Sequence, residues 1–227
     1  MQKRQQAAFT TVHSEGTLFT GDMLQQIAKR ETKLGGLTLE DYHLLKSGQF
    51  NEVITHAWEE ALKAWSEYTR DYQAHPERHL ALTREWVLKL LSPLNYGRVQ
   101  RADVIQTPQR TYAVSHSWQR IPIHLVSSET ELDKVVRSSA DTRRSSPYST
   151  VQELLNRVDG NFWGIVSNGK LLRLLRKNVS MTRQAYIEFD LEAMMKGEVY
   201  ADFVLFWLLC HQSRLEGEKL EPVRDSS

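Results

Sequence analysis

The stretch from Tyr148 to Arg214 constrains the fold more than any other part of this chain. It reads YSTVQELLNRVDGNFWGIVSNGKLLRLLRKNVSMTRQAYIEFDLEAMMKGEVYADFVLFWLLCHQSR, and its hydrophobic period switches repeatedly between helical and extended. Thr150 followed by Glu153 predicts a capping box, with Val151, Leu154, Leu155 and Val158 on the buried face of the helix. FWGIVS and KLLRLLR flank Asn168-Gly169, a pair that tolerates φ > 0 at both central turn positions, so a two-residue type I′ hairpin is expected. Another β run, AYIEF, precedes an apolar helix from Tyr200 to His211. A chain carrying helix, hairpin, strand and helix in that order is neither all-α nor all-β.

The first half reads as helical. In FNEVITHAWEEALKAWSEYTRDYQ, Phe50, Val53, Ile54, Ala57, Trp58, Ala61, Leu62, Trp65, Tyr68 and Tyr72 form one stripe of a long amphipathic helix. Glu52, Glu59, Glu60, Lys63, Glu67 and Arg70 make its solvated face. Gly21 to Arg30 predicts a short helix around Met23, Leu24 and Ile27, and GGLTLEDYHLL restarts one with Thr38 as N-cap. Pro76 breaks the pattern, and a further helix starts near Thr83 and runs to Pro93 and Asn95-Tyr96-Gly97.

From Arg98 the texture turns to short β runs, RVQRADVIQ, RTYAVSHSW and PIHLVSS. Thr107 to Arg110 connects the first two, and Gln119 to Pro122 leads to the third. Glu129 to Val136 predicts one or two helical turns, and RSSADTRRSSPYS a mobile polar surface loop. The expected class is therefore α+β (mixed α/β): a helical subdomain over residues 1–95, a small central sheet with flanking helices over 96–216, and a tail at 217–227.

Composition removes several function classes. Lys+Arg 29 against Asp+Glu 28 gives a net charge of +1, which argues against a dedicated polyanion-coating protein but leaves room for a local basic stripe. One cysteine excludes an internal disulfide framework and a cysteine-based zinc cluster. Cys210 lies in the apolar run Phe203 to Cys210 and reads as a buried, inert thiol. The amino terminus has no apolar h-region, and the longest apolar run is too short to span a bilayer, so a cytoplasmic protein without a membrane partner is expected.

No residue pattern here specifies a reaction. The chain has no G-x-G-x-x-G and no Walker A loop, hence no recognisable phosphate cradle. Ser145-Ser146-Pro147-Tyr148 falls one proline short of the (N/D/S)-P-P-(Y/F/W) tetrapeptide of amino-methyltransferases, and reads as the start of a helix. His116 and His124 lie on neighbouring predicted strands with Asp133 downstream, but a metal site needs three or four convergent ligands. Catalytic, metal and cofactor-binding residues are thus none. Arg137, Arg143, Arg144, Arg173, Arg176, Lys177 and Arg183 are the nucleic-acid-binding candidates, able to give salt-dependent, sequence-independent phosphate contacts. The competing reading is a solvated face offset by Glu188, Asp190 and Glu192. Trp163, Phe162 and Trp207 read as core.

The layout resembles the PD-(D/E)xK nuclease fold as used in type I restriction R subunits. There a helix with a glutamine precedes a strand of the WGIVTNG-x-W-x-L kind, very similar to Trp163 to Leu174. Gln152 sits where that family keeps its glutamine, and Asn156 replaces the tyrosine often found four residues on. The acid-x-Lys triplet is absent: PIHLVSS carries His124, Val126 and Ser127 in its place, and Glu31-Thr32-Lys33 matches only as a string. The resemblance implies a degenerate nuclease-like fold.

A longer resemblance, over roughly residues 12–216, is carried by SHSWQRIPIHLV, SSPYSTVQELLNR, WGIVSNGKLLRLLR and the segment from Thr182 to Arg214. These are similar to the amino-terminal region of adenine-specific methylases of type IIG restriction and DISARM- or BREX-like phage-defence systems. That family implies a non-catalytic module or fragment serving DNA engagement or scaffolding. Its partners would be DNA and the remainder of a methylase or other defence subunits. S-adenosylmethionine is implied for the parent protein and no cofactor for this chain. Two alternatives stand beside it, a Mg²⁺-dependent restriction endonuclease with displaced ligands and a protein-interaction module docking on a methylase.

Overall fold

The β-type runs of the second half assemble into one mixed sheet, joined by a strand from the amino-terminal end. The computed structural model describes residues 9–16, 18–31, 34–44, 49–102, 104–108, 110–137, 144–160, 162–178 and 184–216. Its strands are β1 (Val12–Glu15), β2 (Gln100–Arg101), β3 (Ile105–Gln106), β4 (Thr111–Tyr112), β5 (His116–Trp118), β6 (Ile121–Leu125), β7 (Val136–Arg137), β8 (Arg144–Ser145), β9 (Trp163–Ser167), β10 (Leu171–Arg176) and β11 (Tyr186–Asp190). Its helices are α1 (Gly21–Ala28), α2 (Gln49–Ala74), α3 (His79–Leu91), α4 (Pro147–Arg157), α5 (Leu191–Lys196), α6 (Tyr200–Cys210) and α7 (Gln212–Leu215).

Among the described residues the main sheet has seven strands in the order β1-β11-β10-β9-β6-β5-β2. β6 and β9 are parallel, and every other neighbouring pair is antiparallel. Parallel neighbours need a crossover, and α4 supplies it. The expected α+β architecture is the one observed.

Side-chain alternation gives the sheet two different faces. Ile123, Leu125, Ile165, Leu172, Leu174, Ile187 and Phe189 point into a large core shared with α1, α2, α3, α5 and α6. α6 is apolar all round because helices and sheet enclose it, and Phe203 and Leu205 to Cys210 are fully buried. The opposite face is covered by α4, which sits close because β9 carries Gly164. A Cβ there would stand 2.8 Å from Val151 Cγ1 and 3.2 Å from Leu155 Cδ1.

Several local expectations are corrected. The capping box at the head of α4 is Ser146 with Ser149, not Thr150 with Glu153: Ser149 N–H donates to Ser146 Oγ (3.1 Å) and Ser146 N–H to Ser149 Oγ (2.8 Å). Pro147 with its fixed φ takes the first helical position, so the helix starts one turn earlier. The connection after β9 is not a two-residue type I′ turn, since Gly169 (φ 80°) has a positive φ and Asn168 does not. Instead Asn168 Oδ1 accepts from the N–H groups of Lys170 and Leu171, and the last register pair is Ser167 with Leu172. The Thr38 motif forms, with Thr38 Oγ1 donating to Asp41 (2.6 Å), but it leads only to a 3₁₀ turn, Glu40–Tyr42, ended by His43 at φ 58°. α3 begins at His79 rather than near Thr83, whose hydroxyl donates to the His79 carbonyl inside the helix. Glu129 to Val135 forms turns, not helix. Most of the expected loop between Arg137 and Arg144 lies outside the described residues.

Candidate functional site

A polar row crosses the sheet on the side covered by α4. The register aligns His13 on β1 with Glu188 on β11, Glu188 with Arg173 on β10, Arg173 with Val166 on β9, and Val166 with His124 on β6. Because residues in register share a face, one strand position on each of five strands builds this row. Val166, packed under Val151 and Leu155 of α4, divides it into two halves.

The first half is centred on Arg173. Its side chain is 6% exposed, and the guanidinium is gripped on two edges. Nη1 and Nη2 donate to the two carboxylate oxygens of Asp133, both at 2.7 Å, and Nε donates to Glu188 Oε2 at 2.6 Å. The Tyr186 ring lies 4.3 Å and the Tyr148 ring 5.6 Å from its central carbon. Burial alone would weaken the cation, but the two carboxylates outweigh it and raise its pKa further, while Arg173 holds Asp133 below the ordinary carboxylate range. A lone buried guanidinium would be costly; two carboxylates and two ring faces compensate this one.

The second half is a histidine–serine web between β5 and β6. Ser115 Oγ accepts from Leu125 N–H (2.7 Å) and lies 2.9 Å from His116 Nδ1, while Ser115 N–H donates to His124 Nδ1 (3.3 Å). Nδ1 of His124 therefore acts as an acceptor, which puts the proton of its neutral ring on Nε2. Burial, with the charges of Arg84 and His116 adding to it, pushes His124 down to about 4. The two histidines are linked through Ser115, His116 being in register with Ile123 rather than with His124, and Asp133 faces Arg173 on the other side of Val166. Among the described residues no three His, Cys, Asp or Glu side chains converge on a point that could hold a metal ion.

The seven basic candidates do not form one patch. Arg173 is enclosed as described. Arg144 is exposed on β8, beside the start of α4. Arg176 ends β10 with its guanidinium 5.7 Å from the Trp163 ring, and Lys177 donates to Asp159 (3.2 Å) and to the Val158 carbonyl (3.3 Å), at the far end of α4. Eleven helical residues, a rise of about 16 Å, lie between those two groups. Arg137 belongs to β7 by its backbone, its side chain being outside the described part; Arg143 and Arg183 lie outside the described residues altogether. Trp163 and Trp207 are core residues, 1% and 0% exposed.

Gln152 and Asn156 form a unit at the same end as Arg176. Gln152 Nε2 donates to Asn156 Oδ1 (3.1 Å) and to the Arg176 carbonyl (3.0 Å), and Asn156 Oδ1 accepts from Asn178 N–H. The pair ties the outer side of α4 to the end of β10. The importance of Asp133 carries no local signal, since its partner is forty positions away in the chain. Cys210 is fully buried, and burial pushes its thiol up, so it is not a nucleophile at neutral pH. No helix among the described residues is long and apolar enough to cross a membrane. No protein family, curated protein or solved structure matches this chain.

Proposed function

We propose that this chain is a non-catalytic scaffolding module from the amino-terminal region of a cytoplasmic restriction-modification adenine methyltransferase, used in phage defence. The observation that carries the reading is the path β5, β6, α4, β9 with β6 and β9 parallel, the strand-helix-strand order that the nuclease resemblance implies. Where a nuclease of that class would carry its metal-binding acids, β5 and β6 carry His116-Ser117-Trp118 and Ile121-Pro122-Ile123-His124-Leu125. Carboxylates are the groups that hold Mg²⁺ in such chemistry, and the strands offer none. Arg173, the one nucleic-acid-binding candidate that the described residues enclose, is committed to Asp133 and Glu188 rather than to an outside phosphate, which favours scaffolding over DNA engagement. In the parent protein S-adenosylmethionine would be bound by the methylase portion.

The test is to incubate the purified chain with plasmid DNA and Mg²⁺ or Mn²⁺, and to measure duplex DNA binding by fluorescence anisotropy across salt concentrations. No cleavage and no binding that depends on Arg144 and Arg176 are expected. Cleavage abolished by Glu188→Gln or Asp133→Asn would overturn the reading in favour of an active nuclease. Binding whose log–log salt slope drops by about one for each of Arg144→Ala and Arg176→Ala would replace scaffolding with DNA engagement.

A further inference from the structure

Residues 126–135 leave the carboxyl end of β6, cross the end of β9 and come down beside the start of α4. Val126 N–H donates to the Ser167 carbonyl at the end of β9, and the Leu132 carbonyl accepts from Tyr148 N–H on α4. Leu132 is the only side chain of this segment that enters a hydrophobic core fully; Val126 packs against it in part. Polar tethers supply the rest. Ser128 Oγ donates to Tyr72 Oη, Glu129 meets His79 Nδ1 at 3.0 Å, Asn168 Nδ2 donates to the Thr130 carbonyl at 2.9 Å, and Asp133 fills the fork of Arg173. Glu131, Lys134 and Val135 are exposed.

We infer that residues 126–135 are a strap that opens as a local unit while the sheet stays folded, with the Asp133–Arg173 pair as its latch. A segment with one apolar anchor and several polar tethers has little hydrophobic stabilisation of its own, the condition for local opening below the global unfolding free energy. The latch is also of a kind that opens at low cost. Breaking a buried ion pair is expensive when it strands a charge, and here neither partner is stranded. The Asp133 side chain is already 53% exposed and passes into water, while Arg173 keeps Glu188 on its other edge and the Tyr186 ring against its face. Opening uncovers the free fork of Arg173 together with Tyr148 and Tyr186, both under one-tenth exposed while the strap is closed.

Amide hydrogen exchange on the full chain tests it. The reporters are Thr130 and Lys134, whose N–H groups bond within the strap to Ser127 and Glu131, against the amides of β9 and β10. In Asp133→Asn the strap amides are expected to exchange about tenfold faster, the factor matching loss of one charge-assisted contact, with β9 and β10 unchanged. Ser128→Ala and 1 M salt should act in the same direction, the latter because the Asp133 side of the pair is half exposed and open to screening. Equal acceleration of strap and sheet in Asp133→Asn, no acceleration, or outright unfolding of that variant would each overturn the proposal.

Discussion

His124 and His211 share one device: in each, Nδ1 accepts a backbone N–H, from Ser115 and Ser213 respectively, and the ring is packed away from water. His211 lies against Trp207 (4.6 Å between centroids) and Tyr42 (5.4 Å). Burial, helped by nearby cationic groups, pushes His124 down to about 4 and His211 to about 3. Both folded-state values lie below the unfolded imidazole value of about 6.5, so between them the unfolded chain binds more protons and stability falls as pH falls. The contribution is fully present above the unfolded value and is lost on the way down to the folded one. Denaturant titrations at pH 7, 6 and 5 should show a loss of about 2 kcal/mol between pH 6 and 5 from the two rings together. His124→Gln should remove about half of that slope. A flat profile over this interval would refute the neutral, buried imidazoles.

At the scale of elements, α4 is where the sequence was most legible and also where it misled. Its buried face at Val151, Leu154 and Leu155 follows from helical spacing, because only a stripe at that period can meet a sheet. Its start did not follow, because two hydroxyl residues compete for the cap and the decision rests on Pro147, which fits the first turn and leaves Ser146 outside it. The long stripe of α2 was legible over its whole length for the same reason as the face of α4. β1 was not read at all, since a four-residue strand has too little period to declare itself and forms by pairing with β11, far along the chain. The placement of His116 and His124 on neighbouring strands was readable, whereas the Arg173–Asp133 contact depends on a register and a loop path that no local pattern encodes. Two substitutions separate the helix's start from its seat. Ser146→Ala should cost about 1 kcal/mol by removing the cap, while Thr150→Ser should cost much less, since the replacement hydroxyl can still reach the Ser146 carbonyl. Gly164→Ala should cost about 1–3 kcal/mol, because its Cβ would press on Val151 and Leu155. Urea midpoints measure both, and a Gly164→Ala protein as stable as the parent would show that α4 does not need this close approach.

At the scale of the whole molecule, the first 95 residues and the rest share one core, although their textures differ sharply in the sequence. The ties across that boundary are specific. Asp202 on α6 accepts from Thr10 N–H, Thr11 N–H and the Thr11 hydroxyl, fastening the lead-in to β1. Tyr42 Oη donates to the Leu208 carbonyl, Trp86 Nε1 to the Gly169 carbonyl, and Arg214 Nη2 to the Asp41 carbonyl. Each of these would leave a buried polar group without its partner if the two parts separated. The inner face of the sheet, at Ile165, Leu174 and Ile187, would at the same time lose the helices that cover it. A fragment of residues 96–216 is therefore expected to lack a cooperative melting transition and near-ultraviolet circular dichroism. The intact chain should unfold in one step, with tryptophan fluorescence and far-ultraviolet circular dichroism giving the same urea midpoint. Should the fragment melt cooperatively with a native-like near-ultraviolet spectrum, the helices would be an attached subdomain rather than one wall of the core.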